Sequence, residues 1–366
     1  MTIPPAVRPR LKAVTVHASG SHVVVAHRAL ERLHLEDHTG ALCALLTLLA
    51  AGTRPAEALA GELSGRGFAV TPEEVETALA ELDGLGLLER ADGEDTLDPA
   101  TRERHRSNLR FYDLFSDLHR TSADRHRAVA GAHVLLLGAG GLGSGVLQSL
   151  AGLGVGRVTL VDFDRVEIGN LARQFLYGVA TVGRPKVEVA RSWVESYSPE
   201  TAVRALDRRI TDPRSIVEVA GDADLVVCAI DSPDDIHLIV NEACFALGVP
   251  YVVGGLNRST LSYWSVEPGV SPCRRCLDLH RRDEMATMPD ALRQDPVIDP
   301  APVNRAAGPV IQLAAGLVSL EALRYLAATG EPVAAAAYQV VELADGMTTR
   351  RTPWQHHPGC ELCPGR

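Results

Sequence analysis

The chain has 366 residues, which predicts two domains at about 100–200 residues each, and its 46% hydrophobic and 22% charged residues are an ordinary globular mix. Acids outnumber Lys and Arg by 46 to 36, a net charge of −10 that argues against a general nucleic-acid binder, and seven sparse cysteines argue against a secreted disulfide scaffold. With no apolar run of ~18 residues and no signal-peptide core at the start, neither a membrane span nor secretion is expected, and the reading is a cytoplasmic protein.

The first hundred or so residues form a unit of their own. AVTVHASGSHVVVAH alternates around a Gly-containing turn and predicts a hairpin. GALCALLTLLAAG predicts a helix closed at Gly52, and RPAEALAGELSGRG a second one closed by glycine. TPEEVETALAELDGLGLLER opens with Thr71 and carries a Glu three residues on, a capping box before an apolar-periodic helix. Strands followed by three helices outline a small winged-helix-like α+β domain over residues 1–104. The charged stretch 91–107 reads as a linker.

From Ala132 the pattern changes. AHVLLLG, RVTLVD, DLVVCAI and PYVVGG read as strands buried on both faces. Helices are expected at Leu142–Leu153, Lys186–Tyr197 and Pro233–Leu247. The alternation predicts an α/β domain over residues 105–366, a doubly wound, Rossmann-like, mostly parallel sheet. Further on, STLSYWSV reads as a strand, Pro268 to about Asn304 as a polar stretch, Ala306–Thr329 as a long helix and AAYQVVEL as a late strand.

Gly138-Ala-Gly140-Gly141-Leu-Gly143 follows the first of these strands and opens a helix. The glycines allow a tight turn, close approach of backbone to phosphate, and close helix–strand packing. Asp162 ends the next strand, where an acid binds ribose hydroxyls. By itself this pattern leaves NAD, FAD and ATP open. The following segment, Asp162-Phe-Asp164 to Asn170-Leu171-Ala-Arg173-Gln174 and then Val182-Gly-Arg-Pro-Lys186, is chemistry for a nucleoside triphosphate. Attack at the α-phosphate builds charge there and on the departing pyrophosphate. Arg173 can hold the outgoing oxygens, and Lys186 can neutralise the α-phosphate. A magnesium ion needs a hard carboxylate ligand, and Asp231, followed by Ser232, ends the strand DLVVCAI.

These motifs resemble the ubiquitin-activating-enzyme-like (ThiF/MoeB/HesA) adenylyltransferase superfamily, most of all its microcin C peptide-adenylating branch. The resemblance covers about Ala130 to the C-terminus. It implies adenylation of a carboxylate with ATP and Mg2+ in a homodimer. It also implies a nucleotide site of Gly138, Gly140, Gly141, Gly143, Asp162, Asp164, Asn170, Leu171, Arg173, Gln174, Lys186, Asp231 and Ser232. Arg173, Lys186 and Asp231 are its catalytic residues, with Asp231 the magnesium ligand. The superfamily also carries an Arg-Tyr-x-Arg-Gln stretch whose arginine reaches a neighbour's phosphates. Here the match is Arg104-His-Arg106-Ser107-Asn108, with Ser107 in the second arginine slot; Arg104 and Arg106 both stay open for that role.

Cys273-x-x-Cys276 and Cys360-x-x-Cys363 can close a tetrahedral, structural Zn2+ site that ties the C-terminal tail to the body. Cys43, Cys228 and Cys244 read as buried small residues. No cysteine stands between Leu277 and Gly359, so no thioester step is expected. The N-terminal domain resembles leader-peptide-recognition domains, with the hairpin edge coming from Val14–His27 and the helix from Glu73–Leu87. The joint expectation is an ATP-dependent adenylyltransferase acting on a ribosomally made precursor peptide, with no nucleic acid and no membrane. Alternatives are a non-catalytic leader-binding partner of a cyclodehydratase, an activator of a ubiquitin-like sulfur-carrier protein and, distantly, an NAD oxidoreductase.

Overall fold

A computed structural model describes residues 6–28, 31–289 and 306–363. The chain divides into two compact units, Met1–Arg127 and Ala128–Arg366. The polar stretch expected as far as Asn304 lies outside the described residues from 290 onward.

In the first unit, β1 (Pro9–Leu11) is followed by β2 (Thr15–Ser19), β3 (His22–Arg28) and β4 (Glu31–Glu36). β2, β3 and β4 form an antiparallel meander with β3 in the centre. The expected hairpin is β2–β3, but β3 is not an edge. In Glu31-Arg-Leu-His-Leu-Glu36, Leu33 and Leu35 alternate with polar residues and pack against the core, so β4 covers β3. Among the described residues the edges of this sheet are therefore β2 and β4.

Helices α1 (Ala41–Ala51), α2 (Ala56–Gly65) and α3 (Pro72–Gly84) follow, and β5 (Leu88–Arg90) returns to pair with β1. Gly52 closes α1 in the left-handed conformation. The capping box at α3 is formed: Glu74 N–H donates to Thr71 Oγ1 (3.2 Å) and Thr71 N–H to Glu74 Oε2 (2.8 Å). Leu45, Leu49, Leu59, Leu63, Leu79 and Leu82 from the three helices meet Val23 and Val25 of β3 in one core.

The expected linker over 91–107 is instead structured. Asp98 caps α4 (Pro99–Arg104), α5 (Arg106–Asp113) follows, and α6 (Ser122–Gly131) leads into the second unit. Leu109 and Tyr112 are buried. The stretch is polar because α4 buries no residue, and α5 reaches the core only beyond it, through Leu109 and Tyr112.

The second unit holds an eight-stranded sheet. Its strands are β6 (His133–Leu137), β7 (Arg157–Asp162), β8 (Ala202–Asp207), β9 (Leu225–Cys228), β10 (Tyr251–Asn257), β11 (Thr260–Val266), β12 (Ala337–Glu342) and β13 (Thr348–Pro353). The order is β13-β12-β11-β10-β9-β6-β7-β8. β10, β9, β6, β7 and β8 run parallel, while β11–β13 extend the sheet antiparallel. β6 and β9 are buried throughout, which is why they read as unbroken apolar runs. From β6 the chain winds outward to β8, then returns to β9 on the other side. The crevice at the carboxyl ends of β6 and β9 is thus the sheet's switch point, where open α/β sheets bind ligands.

Helices α7 (Gly141–Leu153), α8 (Lys186–Tyr197), α9 (Pro213–Ala220), α10 (Ile236–Leu247), α11 (Arg274–Thr287) and α12 (Gly308–Ala327) complete the unit. By length and composition alone α12 could cross a membrane, against the expectation of no such segment. Here it is a core helix, burying Ile311, Ala314, Ala315, Val318 and Ala322.

α12 is bolted to the sheet by a fully buried carboxylate. Glu321 Oε1 accepts from Ser265 Oγ of β11 and from Ala334 N–H, both at 2.9 Å, and Oε2 pairs with Arg324 at 3.3 Å. Replacing Glu321 by Ala leaves a buried hydroxyl, an amide and a guanidinium without their acceptor. A loss of about 3 kcal/mol is expected, read as a lower urea midpoint with Glu321→Gln falling between Ala and wild type.

Candidate active site

The site grows from one turn. Gly138 leaves β6 with φ +103°, and a Cβ there would stand 2.7 Å from Ala229 O. A Cβ at Gly143 would collide with the carbonyl of Gly138. No side chain fits at either place, so the start of α7 presses directly against the turn and the end of β9. Gly140 caps α7 with no side-chain partner. The first amides of the helix are left for an anion, in the positive field of the helix N-terminus.

Asp162 is buried beneath this turn. Its Oδ2 accepts from Ala139 N–H at 2.6 Å and its Oδ1 from Asp164 N–H at 2.7 Å. The expected ribose ligand therefore also shapes the loop. Lys186, the first residue of α8, is 4% exposed, yet its Nζ reaches Asp164 Oδ2 at 2.9 Å. Its backbone N–H also donates to Asp164 O at 2.9 Å. Asp162, Asp164 and Lys186 thus form one chain of contacts leading away from the glycine turn.

The segment from Asn170 to Tyr177 lies beside them. Asn170 is buried, and its Oδ1 accepts from Glu167 N–H at 3.0 Å, which holds a short 3-10 turn. Leu171 continues that turn. Arg173 is partly exposed, with Nη1 on Gly169 O at 3.3 Å. Gln174 is 2% exposed, and its Oε1 accepts no hydrogen bond among the described residues. Such an orphaned acceptor fits a ligand that brings its own donor. The start of α12 covers this segment: Gly308 lies against the ring of Phe175, and Ile311 lies against Gly141. Asp231 and Ser232 follow β9 and are exposed.

Three contributors were not anticipated. Tyr177 OH donates to Ala139 O at 2.7 Å. Burial, reinforced by Asp162 and Asp164, drives its phenol pKa upward, so it stays a donor. α12 closes one side of the turn. Arg209 stacks over Phe163 at 3.9 Å, next to Asp162. Only an aromatic one residue past the ribose acid could have hinted at the last.

The second cluster is the cysteine set. The sulfurs stand 3.9 Å (Cys273–Cys276), 3.6 Å (Cys273–Cys360), 3.3 Å (Cys276–Cys363) and 3.7 Å (Cys360–Cys363) apart. A tetrahedron with Zn–S of about 2.3 Å has edges of roughly 3.8 Å, so the donor set fits a zinc ion. All four are buried, and burial pushes the Cys273 thiol up to about 12, a cost that a bound cation removes. Trp354 Nε1 donates to Cys273 O at 3.1 Å, and its ring packs on Trp264 and Tyr338. Cys228 and Cys244 are buried as expected, and burial pushes the Cys228 thiol up to about 12, which makes it inert. Cys43 is partly exposed rather than buried.

The sequence profile of the ThiF family matches residues 114–362. The chain belongs to that family and is an enzyme of the adenylyltransferase class. It is 32% identical to the molybdopterin-synthase adenylyltransferase of Escherichia coli K12 over 246 residues, covering 66% of this chain and 90% of that one. It is 33% identical to the sulfur carrier protein adenylyltransferase of Thermus thermophilus over 242 residues, covering 63% and 82%. Among solved structures, Escherichia coli MccB with ATP superposes with a TM-score of 0.73 at 19% identity, covering 97% of this chain and 99% of that chain. The same enzyme, described as the microcin C7 biosynthetic enzyme in complex with N-formylated MccA, matches equally well. At that identity the likeness establishes the fold, over nearly the whole chain.

Metal extraction tests the cysteine cluster. A strong chelator with a thiol-modifying reagent is expected to release about one zinc per chain, with a red shift of tryptophan emission as Trp354 leaves its aromatic packing. No zinc in the released fraction would refute the assignment.

Proposed function

We propose that this protein is an ATP-dependent adenylyltransferase that activates a carboxylate of a ribosomally made precursor peptide and grips the leader of that peptide with its N-terminal unit. The observation that carries the reading is the union of two parts. One is a glycine turn at the switch point, flanked by Asp162, Arg173, Lys186 and Asp231. The other is an N-terminal unit whose sheet leaves β2 and β4 open for an added peptide strand. The sulfur-carrier relatives account for 63–66% of the chain, whereas the MccB fold accounts for both units. The exposed face of α3 carries Glu73, Glu76 and Glu81, which disfavours nucleic acid as the partner.

The chemistry follows from the charges. A substrate carboxylate oxygen attacks the α-phosphorus of ATP; the bond to the β-phosphate oxygen breaks, and pyrophosphate leaves. The amides at the start of α7 and the ammonium of Lys186 balance charge on the α-phosphate, and Arg173 receives the outgoing pyrophosphate. Asp162 orients the ribose while it holds Ala139. Asp231, just past the end of β9, offers a hard oxygen ligand, and bound magnesium would neutralise phosphate charge there. No general base is needed, because the attacking carboxylate is already ionised at neutral pH. The cysteine site holds structural zinc, and a cytoplasmic setting belongs to the same reading.

A homodimer is part of this proposal. Ile168, Phe175, Val179 and Val182 expose apolar side chains within one short stretch, more than a free surface usually carries together. Light scattering is expected to give a dimer mass, and Val179→Glu to shift it toward the monomer. A monomeric wild type would refute this part.

The central test is turnover. ATP, magnesium and candidate precursor peptides should yield pyrophosphate and a peptidyl adenylate by mass spectrometry. Lys186→Ala should lower kcat/KM by about 10²–10³-fold, and Asp231→Ala should abolish turnover. Pyrophosphate release that depends instead on a small protein ending in Gly-Gly would favour the sulfur-carrier reading. Peptide binding without any ATP binding would reduce the nucleotide fold to a scaffold.

A further inference from the structure

The turn that would face the phosphates is gripped on both sides of one residue. Ala139, fully buried, gives its N–H to Asp162 at 2.6 Å and receives the Tyr177 hydroxyl on its C=O at 2.7 Å. The first grip comes from the next strand. The second comes from a different place in the chain, 38 residues further on. Tyr177 lies three residues past Gln174, and its N–H donates to Gln174 O at 3.1 Å. Gln174 N–H in turn donates to Asn170 O at 2.9 Å. The run from Asn170 to Tyr177, which carries Arg173, is therefore a folded unit with one end tied to the glycine turn.

We infer that Tyr177 is a positioning residue: its hydroxyl holds the Arg173 segment in register with the amides that open α7, so that the two sets of positive groups meet one triphosphate. The inference rests on the nucleotide reading of this site. A carbonyl buried at Ala139 needs a donor, and with Phe at 177 the turn must either leave it unpaired or shift to find another. Either response moves the first amides of α7 or the distance to Arg173. The effect falls on ATP and on the departing pyrophosphate, because the groups Tyr177 ties together are the ones the nucleotide reading assigns to the phosphates. The ring also packs in the core at 6% exposure, so a merely structural role is the competing account.

Tyr177→Phe separates the two, because it keeps the ring and removes one oxygen. If Tyr177 positions the site, the KM for ATP rises and kcat falls, together lowering kcat/KM for ATP by about tenfold, while the KM for the acyl substrate is unchanged. Hydrogen exchange of the amides of residues 139–143 should also quicken by about tenfold in the protein without nucleotide, while exchange in β8 and α9 stays as in wild type. Wild-type kinetics in Tyr177→Phe would overturn the inference, as would unchanged exchange in the turn. Should Tyr177→Phe fold poorly, Tyr177→His keeps a donor of shorter reach, and only a positioning role predicts that it recovers part of the ATP term. If wild-type protein binds no ATP by calorimetry, it is the nucleotide reading that fails. The exchange experiment needs no ligand and still reports on the tie itself.

Discussion

The carboxylate of Asp162 organises the working edge of the sheet. Each of its oxygens takes one backbone N–H, from Ala139 in the glycine turn and from Asp164 two residues on. A buried carboxylate costs several kcal/mol unless its lone pairs are met. Here the donors are peptide groups of two loops, so satisfying the acid fixes both loops at once. Asp164, so placed, can reach Lys186 at the head of α8. Remove the glycines and the turn cannot approach; remove the acid and nothing defines where it stops. The order of strands makes this arrangement possible, because the reversal of winding at β6 opens the crevice into which the turn projects.

At the C-terminal tail the problem is different. The segment after β13 is short and polar and cannot build a core of its own. It is held by three aromatic rings and four thiols: Trp354 inserts against Trp264 and Tyr338, and Cys360 and Cys363 meet the pair that opens α11. Asn241 adds a polar anchor, its Oδ1 accepting from both Tyr251 OH and Arg274 N–H. The tail is thereby packed against the helices behind the sheet, remote in sequence from the glycine turn but part of the same buried layer as Leu135, Leu137 and Val226.

What could be read in the residues is what sterics and capping write locally. The glycine turn, the box at Thr71, the stop at Gly52 and the CxxC pairs each need particular side chains at particular spacings, and each is present as expected. β6, β7, β9 and β10 were legible because burial on both faces leaves mostly apolar residues, with His133, Thr159 and Asp162 the buried polar exceptions in β6 and β7. Elements that spend few residues on the core were not. α11 buries only Arg274, Cys276 and Leu277 under a charged surface, and it read as a polar stretch. β8, with no fully buried residue, carries no clear period. β4 was hidden behind the hairpin it extends. α4 looked like linker because it buries no residue, and α5 because it buries only Leu109 and Tyr112. Tyr177 could not be found by pattern, since its role is a contact with a backbone oxygen, and backbone oxygens are the same in every sequence.

The resting state of the site explains how such a charge set can be stable before any substrate arrives. Lys186 is almost wholly buried, while Asp164 keeps half its side chain in water. A buried ammonium without a partner would carry an uncompensated desolvation cost. Asp164 supplies the counter-charge, and because it is hydrated on one side, on the proposed reading little would be lost if an incoming phosphate took over the pairing. That exchange would be one anion for another around a cation whose main chain is already fixed by the bond from Lys186 N–H to Asp164 O. On the proposed reading, the attacking carboxylate then meets a phosphorus whose charge is balanced by groups placed during folding, so that little reorganisation remains for the reaction itself.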